Sequence, residues 1–415
     1  MRKALLCALV LTLALGMVSL VAAQDQVTLR VWTGSSSPAE NDFKTAQFRA
    51  FEEANPGVTV EELISPDYGT QITAALASGD YPDVFTVGQF DFPSYLDSGV
   101  LLAAGDAIEA QDDIFPNLLA AFSDADGNAY CVPKDFSTLA LFYNKDLFDA
   151  AGVAYPTADW TWADMTAAAE AITALGQTTD DGVGVVGFSA QADRNRWMSF
   201  LYGNGATVSN EDGTSAINSP EAVAALDFYA SFVSGGTGAI PGDLGGAGWN
   251  GEAFGKGYAA MTVEGNWAIG YLQDQFPDLS WGVAEVPLSP AGTHGSLTFT
   301  ECWAVGASTQ HPEQAWALVN FLTGTEGAAS VATAGFGVMP ARASASEAWL
   351  ATRGEEYAPF VNAAQYAIAP VFPLGYGDFT TAIDEGTTAV LTGEQTAQEM
   401  LDDAASVWND IHAGM

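Results

Sequence analysis

Aromatic side chains recur at polar or glycine-rich turns of this sequence. They are Trp32 in VWTGSSS, Phe90 beside Asp91 in GQFDFP, Trp197 in DRNRWMSF, Trp249 in AGWNGE, Trp267 in EGNWAIG, Trp303 in TECWAVG, and Tyr376 with Asp378 in LGYGDF. A Trp next to Gly, Asn or Asp presents a flat apolar face beside hydrogen-bonding groups. Pyranose sugars need that pairing: their C–H faces stack, and their hydroxyls both donate and accept. For any single aromatic, core packing is the commoner use, but so many at turns argue for a functional use of some.

Other chemistries find less support. Several stretches are glycine-rich, but none fits G-x-x-x-x-G-K-[ST] or a strand-to-helix G-x-G-x-x-G. SDADGNAY resembles half of a calcium loop, yet Asp135 stands where its closing Glu belongs, and the stretch reads as a tight turn. The histidines, His294, His311 and His412, are scattered without zinc-ligand spacing. No metal or cofactor is called for. A glycosidase pair cannot be argued, because nothing marks two of the 51 acidic residues as special.

The elements that must position the aromatics alternate from the start. VTLRVW is a strand, ENDFKTAQFRAFEEANPG a helix with Phe43, Ala46, Gln47, Ala50 and Phe51 along one stripe, VTVEELI a strand, YGTQITAALASGD a helix and DVFTVG a strand. This βαβαβ order argues a largely parallel sheet and an α/β fold. Ligands of such sheets bind beyond the carboxyl ends of the strands, where RVWTGSSSPAEN and FTVGQFDFPS lie. Ser35, Ser36, Gln89 and Asp91 are therefore candidate polar contacts. Further helices are marked by Thr161 with Asp164, by Ser219 before Pro220, by Pro312 with Gly324, and by Thr396 with Glu399. No repeat of solenoid length is present.

Arg2 and Lys3, the apolar run Ala4 to Val21 and the small residues to Ala23 have the pattern of a signal peptide cleaved near Ala23. The formal net charge of −39 repels nucleic acid and anionic lipid, so neither is an expected partner. With 48% apolar residues the chain can bury a large core, and its length fits two or three domains. Cys131 and Cys302 remain after processing; in an exported chain they are either a disulfide or two buried thiols.

The order of segments resembles the bacterial extracellular solute-binding proteins of family 1, the maltose-binding-protein-like receptors of ABC sugar importers. The resemblance is carried by VTLRVWTG, FEEANPGVTVE, YPDVFTVG with YLDSGVLLAA, DGNAYCVPKDFSTLALFYNKDLFDAAGV, AFGKGYAAMTVEGNWAIG, HPEQAWALVNFLTG and LTGEQTAQEMLDDAASVWNDI. It implies a type II periplasmic-binding-protein fold: two discontinuous α/β lobes joined by a three-strand hinge, with the ligand in the cleft between them. The lobes are then 24–135 plus 303–338 and 136–302 plus 339–415, with crossings near Lys134–Ser137, Thr298–Cys302 and Phe336–Pro340. Trp267 matches the family's sugar-stacking Trp. Gln89 and Asp91 lie in a loop that often supplies polar contacts. Crossing strands run side by side, which favours a Cys131–Cys302 disulfide. Lys134 replaces a commonly apolar residue and is read as a salt bridge with Asp135, or else as a ligand contact together with it. Val87, Phe90 and Thr380 depart from the maltose-binding pattern, so maltose itself is not implied.

The expected function is therefore a monomeric, non-enzymatic receptor that closes on a neutral mono- or oligosaccharide and docks on an ABC importer permease. A cationic solute such as a polyamine and a secreted glycosidase are the alternatives.

Overall fold

The computed structural model describes residues 26–35, 37–334, 337–370 and 372–414. The expected leader, Ser36 and Phe336 lie outside the described residues. The chain starts as the sequence predicts: β1 (Val27–Gly34), α1 (Pro38–Ala54), β2 (Val58–Ser65), α2 (Tyr68–Ser78) and β3 (Val84–Gly88), then α3 (Phe92–Asp97). Strand β1 pairs in parallel with β2 and β3. Along β1, Leu29, Val31 and Thr33 are buried while Arg30 and Trp32 take the other, half-buried face, as the two-residue period of a strand requires. Helix α1 is capped by Ser37, whose hydroxyl accepts from the Glu40 N–H at 3.2 Å. Its buried stripe is Lys44, Phe48 and Phe51, turned from the predicted one. The Lys44 stem lies inward because its Nζ donates to the Gly34 carbonyl at 3.1 Å.

A long strand follows, β4 (Cys131–Asn144), and then α4 (Trp162–Thr173), β5 (Val186–Ser189), α5 (Arg194–Gly203), α6 (Pro220–Ser234), β6 (Gly238–Ala239), β7 (Ala259–Gly265), α7 (Trp267–Gln275), β8 (Trp281–Ala284), β9 (Thr298–Val305), α8 (Pro312–Thr323), β10 (Met339–Pro340), α9 (Gly377–Thr392) and α10 (Ala397–Gly414), with shorter helices between them. The predicted caps form. Thr161 and Asp164 make a capping box. The Ser219 hydroxyl accepts from Ala222 N–H at 3.4 Å, and Thr396 and Glu399 bond reciprocally at the start of α10.

The strand order is β2-β1-β3-β9-β4-β7-β5-β6, with β8 and β10 also on β4. Strand β4 ties two halves of this sheet together. Its first part, Cys131 to Thr138, pairs with β9; from Leu139 onward it pairs with β7 and β8. Both faces of β4 are covered. Leu139, Leu141 and Tyr143 enter one core with α4, α5 and α6, while Phe136, Ala140 and Phe142 enter another with Ile269, Trp349 and Phe360. That double burial explains why STLALFYN reads as a continuous apolar run.

The junction is stitched by buried polar side chains. Asn266, 0% exposed, accepts from Thr138 N–H at 3.1 Å and donates to the Gly337 carbonyl at 2.5 Å. Ser296 accepts from Leu139 N–H and donates to the Leu139 carbonyl. Cys131 and Cys302 are joined in a disulfide between β4 and β9, Cα atoms 5.6 Å apart and 171 residues apart in sequence. Register shifts between Pro133 and Asp135, leaving Lys134 as the extra residue of a β-bulge.

Candidate ligand-binding cleft

Two sets of strand ends could receive a ligand: those of parallel β1, β2 and β3, and those of parallel β5 and β7. A crevice of about 460 Å³ is lined from one half by Ser37 and Glu40 of the α1 start and from the other by Gly270, Gln273 and Asp274 of α7, with Gly337 and Arg353. Strand β9 runs from one half to the other and carries a revealing face. Phe299 meets the ring of Trp267, Glu301 is exposed, and Trp303 is buried against Phe48.

On the first half, Phe90 is 50% exposed at the end of β3 and Asp91 beside it is also exposed. Burial of its surroundings, and then the nearby Glu301 carboxylate, push the Asp91 carboxyl above its ordinary value. Lys134 in the bulge pairs with Asp135 and, at 3.2 Å, with Glu301. The ammonium holds Glu301 below the usual carboxylate range. Ser35 accepts from Asn41 Nδ2 at 2.7 Å. Gln89 is 1% exposed: its amide donates to the Thr298 carbonyl at 3.1 Å and accepts from Thr300 N–H at 2.9 Å. It extends the β3–β9 ladder with its side chain, so both of its polar atoms already hold a backbone partner.

On the second half, Trp267 opens α7 directly after β7. Its indole Nε1 donates to Glu264 Oε2 at 3.0 Å. Arg196 donates to both oxygens of the same carboxylate, Nη2 at 2.9 and 3.0 Å and Nε at 3.2 Å, and its guanidinium lies 5.7 Å from the Trp267 ring centre. Glu264 is 0% exposed. Burial pushes its carboxyl up, and the bound Arg196 pulls it back part of the way. Around the start of α5 and the adjoining turn lie buried polar atoms without partners: Asp193 Oδ1, Arg194 Nε, Asn195 Oδ1 and Asn250 Nδ2. Such atoms are rare in folded proteins, and a group of them calls for a water or a ligand. Arg196, Glu264, Asn195 and Asn250 are not among the residues that the sequence singles out as candidates. The signal available was EGNW, which sets an acid three residues before a Trp.

Of the remaining candidates, Trp197, Trp303 and Tyr376 are buried in the core, Trp32 and Trp249 are partly buried, and Asp378 is exposed. Trp197 is 0% exposed, with its N–H on Thr387 Oγ1 at 2.9 Å. It faces inward because α5 turns Trp197, Met198, Phe200 and Leu201 into the core. Trp303 is buried under α1, and Tyr376 packs 4.3 Å from Trp408. Trp32 is half-buried with Arg30 5.7 Å from its ring, and Trp249 leans on Tyr271. Asp378 is exposed in the first turn of α9. Among the described residues no cluster of three or more His, Cys, Asp or Glu could hold a metal ion, and no helix is long and apolar enough to cross a membrane. The Asp124 turn closes on itself, Oδ1 accepting from the N–H groups of Asp126 and Asn128.

The profile of the bacterial extracellular solute-binding protein family matches residues 46–359. The chain belongs to that family. It is 25% identical over 392 residues to a putative binding protein of Brucella abortus, covering 93% of this chain and 92% of that one. It is 24% identical over 284 residues to the multiple sugar-binding protein of Streptococcus mutans, 66% of each. Its structure is similar to the ABC substrate-binding protein of Listeria monocytogenes in complex with cycloalternan, with a TM-score of 0.77, 26% identity and coverage of 94% and 100%. The fold is thus the two-lobed α/β fold of these receptors. As an extracellular solute-binding protein, the chain is a binding protein rather than an enzyme, and it works outside the cytoplasm.

Proposed function

We propose that this solute-binding protein captures a neutral mono- or oligosaccharide between its lobes and delivers it, by hinge closure, to the permease of an ABC importer. The observation that carries the reading is Trp267: an indole fixed at a strand end, beside a group of buried polar atoms still lacking partners. Apolar ring faces and unmet donors and acceptors are what a polyhydroxylated ring satisfies. Phe90 and Asp91 supply the facing contacts, with Ser35 and the Lys134–Asp135 pair as further polar groups. The sugar-binding relative in Streptococcus and the cycloalternan complex in Listeria support the ligand class.

The lobes are 24–135 plus 303–338 and 136–302 plus 339–415, a division supported by the partner change of β4 after Thr138. The mature chain starts near residue 24 and acts as a monomer. Ligand bridging both lobes stabilises the closed state, which the permease recognises.

Isothermal calorimetry of the purified protein against maltotetraose, mannobiose, single sugars and spermidine tests this. Binding of a sugar, recovered intact, is expected. Binding of spermidine with no response to any sugar would replace the reading by a cationic ligand.

A further inference from the structure

We propose that Arg196 and Glu264 are a positioning pair: they fix the angle of the Trp267 ring, and so set ligand affinity without touching the ligand. Burying an arginine–carboxylate pair costs desolvation that its attraction barely repays, and apolar residues of similar volume serve stability as well. Glu264 is completely buried on a strand whose other residues are nearly all apolar or small. Its carboxylate has a task beyond the ion pair, because Oε2 also receives the Trp267 N–H at 3.0 Å. The acid therefore joins the guanidinium to the indole, and Arg196 fixes both of its oxygens.

The ring is held on other sides too. It folds back over the Gly265 backbone, where a Cβ would come within 2.2 Å of a ring carbon. Phe299 of the crossing strand β9 meets it edge to face, 5.3 Å between centres and 78° between planes. To these packing contacts the N–H acceptor adds the one directional bond, which sets where the N–H edge of the indole lies. A platform that is already oriented loses less rotamer freedom when the ligand arrives.

The affinity part of this inference rests on the sugar reading; the orientation part does not. The indole N–H resonance of Trp267, assigned by its loss in Trp267→Phe, reports the carboxylate bond in the unliganded protein. The volume-preserving pair Arg196→Met/Glu264→Met leaves no unpaired charge. It is expected to move that resonance and to weaken binding of the best sugar among maltotetraose and mannobiose roughly ten-fold or more. In a Trp267→Phe background the same pair is expected to change affinity less than about two-fold, since coupled residues are not additive. Arg196→Leu/Glu264→Leu repeats the test if the first double variant does not fold, and Glu264→Gln, which keeps an acceptor, is the control that should preserve most of the resonance position. A resonance unmoved in the apolar double variant, or an equal affinity loss in both backgrounds, overturns the proposal. Absence of sugar binding by the unaltered protein would defeat the sugar reading and leave the resonance to decide the orientation.

Discussion

The two ion clusters beside the cleft use the same ingredients differently. In the bulge of β4, Lys134 lies between Asp135 and Glu301, and the Glu301 side chain is 54% exposed. Behind Trp267, Arg196 grips Glu264, which has no exposure at all. Water reaches Glu301 and screens its pairing, so that arm is worth little and can exchange partners as the cleft opens or fills, while the Lys134–Asp135 pair beside it stays enclosed. The second has no water to fall back on and keeps one arrangement. In the proposed cleft, the Phe90 side then offers an exposed ring with the adjustable Glu301 carboxylate, and the Trp267 side offers a fixed platform.

Four measurements break or sharpen that contrast, running from larger to smaller effect first in binding and then in stability. Trp267→Ala should weaken sugar binding about thirty-fold or more, as the loss of a buried aromatic anchor does. Phe90→Ala should cost about five-fold or less by the same calorimetry, and equal losses would erase the asymmetry. Replacing Cys131 and Cys302 together by Ser should lower the unfolding free energy by about 2–5 kcal/mol in urea titration. Sugar affinity should change little, since both cysteines sit on the β4–β9 pairing away from Trp267. Gln89→Ala strands the Thr298 carbonyl and the Thr300 N–H and should cost about 1–3 kcal/mol in the same titration.

The smallest effect is a pH dependence. The Asp91 carboxyl is raised in the folded protein, chiefly by burial and then by Glu301. The folded state therefore holds the proton more tightly than the unfolded chain, and stability falls as pH rises through the raised value. Asp91→Asn should raise the melting temperature slightly near about pH 7, with the gain vanishing below about pH 4, where both states are protonated. A gain of equal size at both values would refute the assignment.

The fold was largely legible in the sequence because its signals are local. The alternation of VTLRVW marks β1, Thr161 with Asp164 marks α4, and Ser219 before Pro220 marks α6. The site was less legible, because turn chemistry looks the same whether an aromatic faces out or in. DRNRW gave no hint that Trp197 would donate to Thr387, 190 residues away. Gln89 stood at the right strand end and was claimed by the backbone of β9, which is distant in sequence. Glu264 was overlooked because an acid inside AAMTVEGNW looks like an exposed strand residue until Arg196 is brought to it. What one sequence window lacks in each case is the partner from another.

The disulfide has a consequence for how the molecule comes apart. It closes the chain from 131 to 302 into a covalent ring that contains β5 through β8. A single proteolytic nick within that ring, for example at the turn of Asp180 to Gly182, would still leave one covalent piece. The two fragments would travel together through any non-reducing separation and part only when a thiol is added. Damage outside the cell can thus cut the second lobe's backbone without releasing either end of the receptor.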